Sequence, residues 1–354
     1  MDKINNYWSN KRVLVTGHTG FKGMWLSIVL ARMGAHVIGV SKGDLTDKHL
    51  YKSIDSSRIF HAEQFIDIRN HDHIVNFIAN TDPAVIFHLA AQPLVRASYV
   101  DPVETFETNI LGTINVLDGV RKTTNTSKVI CVTSDKCYKN VEQIWGYREG
   151  DPLGGDDPYS ASKGAAEIVA KSMWKSFLKE KKVSMATVRA GNVIGGGDYS
   201  SDRIMTDIVN AYTNNGRLTL RNPNATRPWQ HVLEPIFAYM LLASEYLGKP
   251  KTSFSSFNIG PENENIKTVK NLAEKVTDLW DLTIEKDAPA TGQPHEATLL
   301  SLDNSKIKNE TSWTPRWEFE ETVQKTLNWY RLFNQGDDAL KLCEADLSDY
   351  LEKG

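Results

Sequence analysis

The sequence predicts an α/β fold, with a doubly wound parallel-sheet domain and a smaller mixed α/β domain after it. Three observations carry that prediction. Short runs rich in Val, Ile and Leu alternate with longer amphipathic stretches over the first 190 residues. The short runs lack apolar–polar alternation, as suits strands covered on both faces of a parallel sheet. A glycine-rich turn joins the first run to the first amphipathic stretch.

Taken in order, strands are expected at Arg12–Thr16, residues 36–40, 84–90 and 128–134, and Ser184–Ala190. Helical periodicity occupies residues 23–33, 104–121 and 160–179 between them. Strand–helix alternation of this kind builds right-handed βαβ units. Beyond about residue 190, Gly195-Gly196-Gly197, Asn222-Pro223-Asn224 and Gly260-Pro261 mark loops. Two shorter strands are expected near residues 218–220 and 257–259, and helices at 268–280 and 320–333. The expected organisation is a Rossmann-type domain over residues 1–190 and a mainly substrate-binding domain over 191–354. The strands near 220 and 257 are free to return to the first sheet. The chain carries no internal repeat and no low-complexity segment.

With 354 residues, the chain can bury a large core. Its 41 Lys and Arg residues against 44 Asp and Glu leave a net charge of -3. That balance points to neither a nucleic acid nor a membrane as partner. Cys131, Cys137 and Cys343 are too few and too scattered for a disulfide framework, and none stands at metal-ligand spacing. They read as reduced thiols of a cytoplasmic protein without a bound metal. The first ten residues are polar, so no secretory signal is expected, and no apolar run approaches the ~18 residues that span a bilayer.

The run Val13-Leu14-Val15-Thr16-Gly17-His18-Thr19-Gly20-Phe21-Lys22-Gly23 reads strand, turn, helix. Gly17 permits the tight turn, Gly20 lets the backbone approach a pyrophosphate, and Gly23 lets the helix pack on the strand. Free N–H groups and the positive dipole end of the helix then face the phosphates. A dinucleotide is the expected cofactor. An acid at the end of the second strand would select NAD. Here that strand ends Val40-Ser41-Lys42-Gly43-Asp44: Asp44 is late, and Lys42 suits a 2′-phosphate, so NAD and NADP both stay open. Asp67, after a short strand, faces the adenine or caps a helix.

Tyr159 and Lys163 stand four apart at a helix start, on one face. A phenol of pKa ~10 is a poor base at neutral pH, and a neighbouring ammonium with a cationic nicotinamide favours its phenolate. Ser134, Asp135 and Lys136 follow a strand end, where an open α/β sheet holds its ligands. A hydroxyl, a carboxyl and an amine in sequence there can move protons beside Tyr159.

The glycine turn, His88-Leu89-Ala90-Ala91-Gln92, Ser134-Asp135-Lys136 and Tyr159/Lys163 together resemble the extended short-chain dehydrogenase/reductase family. Within it the chain is similar to the nucleotide-sugar 4,6-dehydratases, and among those to the ones acting on CDP-sugars. The narrower match lies in the turn with Met24-Trp25-Leu26, in Trp145-Gly146-Tyr147-Arg148-Glu149 and in Gln293-Pro294-His295-Glu296. The resemblance runs from about Trp8 to about Trp317.

It implies bound NAD, which takes hydride from sugar C4 and returns it to C6, so that the net reaction is loss of water on the way to deoxysugars of O-antigen and lipopolysaccharide. By the same resemblance, Gly17, Thr19, Gly20, Phe21, Gly23, Asp67, Ile68, Leu89, Ala90, Ala91, Tyr159 and Lys163 hold the cofactor. Tyr159 takes the C4 hydroxyl proton, Lys163 supports it, and Ser134 hydrogen-bonds O4. Asp135 matches the acid that helps water leave. Lys136 stands where related enzymes carry a glutamate base for the C5 proton; it is either that base or an electrostatic stabiliser of the enolate. Gln92, Asn192, Arg203, Arg227 and Asn258 are implied for the sugar nucleotide, with Arg227 on its diphosphate. Family members pair through the helices at 104–121 and 160–179, so a dimer or tetramer is expected. A 4-epimerase shares the turn and the Tyr/Lys pair but needs no acid for C6, and a non-catalytic dinucleotide sensor needs neither.

Overall fold

A computed structural model describes residues 6–43, 49–214, 216–249, 252–285 and 299–353. Seven strands form the central sheet: β1 (Arg12–Thr16), β2 (His36–Ser41), β3 (Ala62–Phe65), β4 (Val85–His88), β5 (Lys128–Val132), β6 (Ser184–Ala190) and β7 (Phe254–Ile259). Their order is β3-β2-β1-β4-β5-β6-β7, and every neighbouring pair is parallel. The winding reverses between β1 and β4, where Thr16 lies opposite His88. That switch point opens a crevice at the carboxyl ends of the strands.

The strands β1, β2, β4, β5 and β6 lack alternation because both faces are covered, whereas the edge strand β3 is mostly exposed. In β1, Val13 and Val15 pack into one buried cluster and Leu14 into another. Helix α1 (Phe21–Arg32) covers the first cluster, and α2 (His71–Thr81) the second. Pro102–Phe106, Glu107–Leu111 and Gly112–Lys122 run on as one helix, α3, with a π-turn in the middle segment. Helix α4 (Pro158–Met173) likewise ends in a π-turn over Trp174–Leu178.

Past residue 190 come α5 (Ile204–Asn214), α6 (Leu233–Leu241), α7 (Val269–Leu279), α8 (Phe319–Asn334) and α9 (Ala339–Glu352). Every residue of α6 is buried, so it has no polar face and none of the periodicity that marks a surface helix. The two late strands part company. Phe254–Ile259 returns to the central sheet as β7, beside β6. Arg217–Thr219 instead pairs with Thr283–Glu285, away from that sheet. Thr226–Pro228 pairs antiparallel with Ile266–Thr268, and Val193–Ile194 parallel with Gln230–His231. Among the described residues, no helix is long and apolar enough to cross a membrane.

Candidate active site

The β1–α1 turn requires glycine at its two ends. Gly17 has φ +73°, and a Cβ there would lie 2.7 Å from the Ala90 nitrogen. A Cβ on Gly23 would lie 2.1 Å from the Gly17 carbonyl oxygen. Gly20 is the N-cap of α1, and the first helical turn carries no acidic side chain. Its N–H groups precede the intrahelical ladder and face the crevice, a cradle that fits a pyrophosphate.

Beside this turn, Thr16 and His88 tie β1 to β4. The Leu89 and Ala90 N–H groups both donate to Thr16 Oγ1, each at 3.2 Å. The Thr16 hydroxyl lies 2.7 Å from His88 Nδ1, and His88 Nε2 lies 3.1 Å from Thr113 Oγ1. Thr113 donates onward to the Asn109 carbonyl, so Nε2 carries the imidazole hydrogen and Nδ1 accepts. Burial, helped by the Lys163 charge, drives His88 down to about 3, so it stays neutral and structural.

Ser134 caps the short turn Asp135–Cys137 and donates to Asp135 Oδ1 at 2.9 Å. Asp135 is 2% exposed, and its Oδ2 has no hydrogen-bond partner among the described residues. The carboxylate rests on Gly191, where a Cβ would lie 1.8 Å from Oδ2. Tyr159 begins α4, behind the Asp157 N-cap that accepts from the Ser160 N–H at 2.9 Å. Burial raises the phenol to about 12, with the neighbouring Ser134 hydroxyl and the Arg203 charge acting the other way. Lys163 Nζ sits 5.9 Å from the centre of the Tyr159 ring. Burial lowers its ammonium to about 8. The ammonium together with a cationic nicotinamide was expected to bring the phenol down; in the protein by itself, burial is the largest influence and keeps it up.

A single cleft of about 680 Å³ is lined by every residue singled out for cofactor, catalysis or substrate except Asn258. Arg227 is nearly buried in the strand Thr226–Pro228, and Arg203 Nε lies 3.5 Å from Asp198 Oδ2. Asn192 takes a left-handed conformation, φ +49°. Gln92 reaches the lining, but its amide is spent on the loop, donating to Leu94 O at 3.1 Å and Thr105 Oγ1 at 2.8 Å. Asp67 also lines the cleft, with its carboxylate held by Arg69 at 2.7 Å. Asn258 is fully buried elsewhere: Tyr138 donates to its Oδ1 at 2.6 Å, and its Nδ2 donates to Tyr147 O at 2.7 Å. With both amide ends satisfied by protein, it braces β7 rather than facing a ligand. Asp44 and Gln293-Pro294-His295-Glu296 lie outside the described residues.

Three features escaped the sequence reading. Lys22, in the first turn of α1, lines the cleft; burial and the charges of Arg203 and Lys163 lower it to about 8. Its position inside a glycine motif was the available signal. Asn109, in the π-turn of α3, donates to Ser162 Oγ at 2.8 Å and accepts from the Gln92 N–H at 2.8 Å, joining the Tyr159 helix to the Gln92 loop. Beside the strand end that carries Ser134, Glu167 and Arg189 form a buried pair at 2.9 Å, with Thr133 and Thr187 also donating to the carboxylate. Neither residue stands in a local pattern that predicts the partner.

This geometry agrees with what the chain is similar to. It is 42% identical to the CDP-glucose 4,6-dehydratase of Salmonella typhimurium, covering 98% of both chains. Among solved structures, a UDP-glucose 4-epimerase with UDP-glucose from Thermotoga maritima superposes with TM-score 0.79 at 21% identity, over 91% of this chain and 99% of that one. The Thermus thermophilus UDP-glucose 4-epimerase complex with NAD gives 0.75 at 22%, over 90% and 99%. The GDP-mannose 4,6 dehydratase family model matches residues 14–326, and the chain belongs to that family.

Proposed function

We propose that the chain is an NAD-dependent CDP-glucose 4,6-dehydratase, converting CDP-D-glucose to CDP-4-dehydro-6-deoxy-D-glucose and water. The near full-length identity to such an enzyme supports the substrate. The observation that carries the reaction type is the buried Asp135 carboxyl, one oxygen unpartnered, in one cleft with Ser134, Tyr159 and Lys163. A 4-epimerase has no use for such an acid.

Bound NAD supplies the hydride acceptor for C4, the donor for C6 and a positive charge beside Tyr159. Ser134 orients the sugar O4, and Tyr159 takes its proton once that charge favours the phenolate. Lys163 holds positive charge one turn away. The 4-keto group acidifies the C5 proton. Asp135 donates the proton on which the C6 hydroxyl leaves as water. Lys136, half-buried in the same lining, serves C5, as base when neutral or as enolate stabiliser when charged. Arg227 and Arg203 take the diphosphate and Asn192 the sugar.

The test is a product assay across CDP-, GDP-, UDP- and dTDP-glucose without added reductant. CDP-glucose should give the 4-keto-6-deoxy sugar; a C4 epimer, or no turnover with any of the four, would refute the assignment. Asp135→Asn should still oxidise C4, seen as reduced cofactor accumulating in a single turnover, yet release product about 10²–10⁴-fold more slowly. Lys136→Ala with an unchanged pH–rate profile would exclude the base role.

The chain further pairs with a second copy through α3 and α4. Val103 and Leu111 on α3 are 63% and 44% exposed, and Ile168 and Phe177 on the α4 segment are 61% and 43% exposed. Apolar side chains gathered on two helices mark an interaction face. Sedimentation should give a dimer or larger, and Ile168→Asp should shift it to monomer; a monomeric parent would end this reading. The three cysteines are free and buried, which fits a reducing cytoplasm.

A further inference from the structure

The order of the sheet puts the adenosine half of a dinucleotide over the ends of β2 and β3. An acid at the end of the second strand is the usual NAD signature, and a basic residue there suits the 2′-phosphate of NADP. This chain has Lys42 at that place and Arg69 just beyond β3. Both are paired with acids, Lys42 with one from another element and Arg69 with its near neighbour as well. Lys42 Nζ lies 3.4 Å from Glu104 Oε1, which comes from the first turn of α3. Arg69 is held by Asp67 at 2.7 Å and lies 3.8 Å from Glu104 and 3.6 Å from Glu107. Among the described residues here, two cations face three carboxylates. Lys42, Asp67 and Glu104 all line the cleft. A 2′-phosphate brings one to two further negative charges near pH 7 into a neighbourhood already negative by one.

We propose that Glu104, acting from α3 on Lys42, makes this site select NAD over NADP. The inference rests on the dinucleotide reading above. Glu104 does two things at once. It occupies the ammonium that a 2′-phosphate would use, and it repels that phosphate directly. Both partners are part-exposed, with side chains 51% and 34% accessible, so solvent screens the effect to about one order of magnitude in affinity.

The test is calorimetric titration of NAD and NADP, without sugar, into the parent, Glu104→Gln, and Glu104→Gln with Lys42→Met. The parent should bind NAD more tightly. Glu104→Gln should strengthen NADP binding about tenfold and leave NAD within about twofold. The gain should shrink at high salt and vanish in the double variant, since Lys42 carries it. An NADP-to-NAD affinity ratio unchanged by Glu104→Gln, or a gain that survives loss of Lys42, overturns the inference while leaving the cofactor reading intact. A folded parent that binds neither dinucleotide overturns both.

Discussion

Tyr159→Phe is expected to lower kcat by about 10²–10⁴-fold, the range that a positioned proton acceptor contributes. The loss should fall on the first half-reaction. Without the hydroxyl, nothing else takes the O4 proton: Ser134 is a donor to Asp135 in the structure, and Lys163 stands a helical turn away. Reduced cofactor should therefore not accumulate, the opposite of the Asp135→Asn result. Cofactor affinity should fall far less than kcat, because the glycine cradle is untouched. The parent's rate should rise with pH as the phenolate forms. Burial holds the free phenol near 12, so that rise at neutral pH depends on the positive charge that bound cofactor brings. Rapid-mixing absorbance with CDP-glucose measures the step; a variant that still reduces its cofactor at the parent's rate would remove Tyr159 from the chemistry.

Glu167→Gln carries the largest expected cost in stability, about 3–5 kcal/mol, as for breaking any fully buried ion pair from one side. Its carboxylate and the Arg189 guanidinium are 2% and 3% exposed, so the cation left behind has no water to turn to. Urea denaturation should show the lowered midpoint, and Glu167→Gln combined with Arg189→Met should recover much of it, because no charge is then stranded. A single variant within about 1 kcal/mol of the parent would contradict this account. Burial by itself would raise the carboxyl, but the Arg189 hydrogen bonds and charge outweigh it and hold Glu167 below the ordinary glutamate value. A carboxylate depressed in the folded state gives stability that is complete above its unfolded pKa. That contribution is lost as pH falls through the lower folded value. Acid should thus weaken the parent more than the double variant.

Much of this protein is written in short stretches of chain. The glycine turn is legible because Gly17 and Gly23 answer a clash six residues apart, and the Tyr159/Lys163 pair because one helical turn sets it. Strand identity in β1, β2, β4, β5 and β6 follows from residues that bury both faces, and needs no knowledge of the partners; the edge strand β3, Ala-Glu-Gln-Phe and mostly exposed, carries no such mark. The late strands were not decidable in this way. The short runs at 257–259 and 218–220 look alike in the sequence, but only the first lies in a strand, Phe254–Ile259, that fits the free edge of β6.

What the chain's own order determined, then, is the fold class, the glycine cradle and the residues proposed for catalysis, all encoded by spacing along one element or one turn. Tertiary structure alone decided the rest, because those choices are contacts across long separations. Asn258 meets Tyr138 from 120 residues away and is thereby withdrawn from the cleft. Glu104 meets Lys42 from 62 residues away and reverses what a lysine after the second strand would otherwise mean. Burial, which a sequence does not display residue by residue, sets Tyr159 high and, among the described residues, leaves one Asp135 oxygen without a partner in the same cleft.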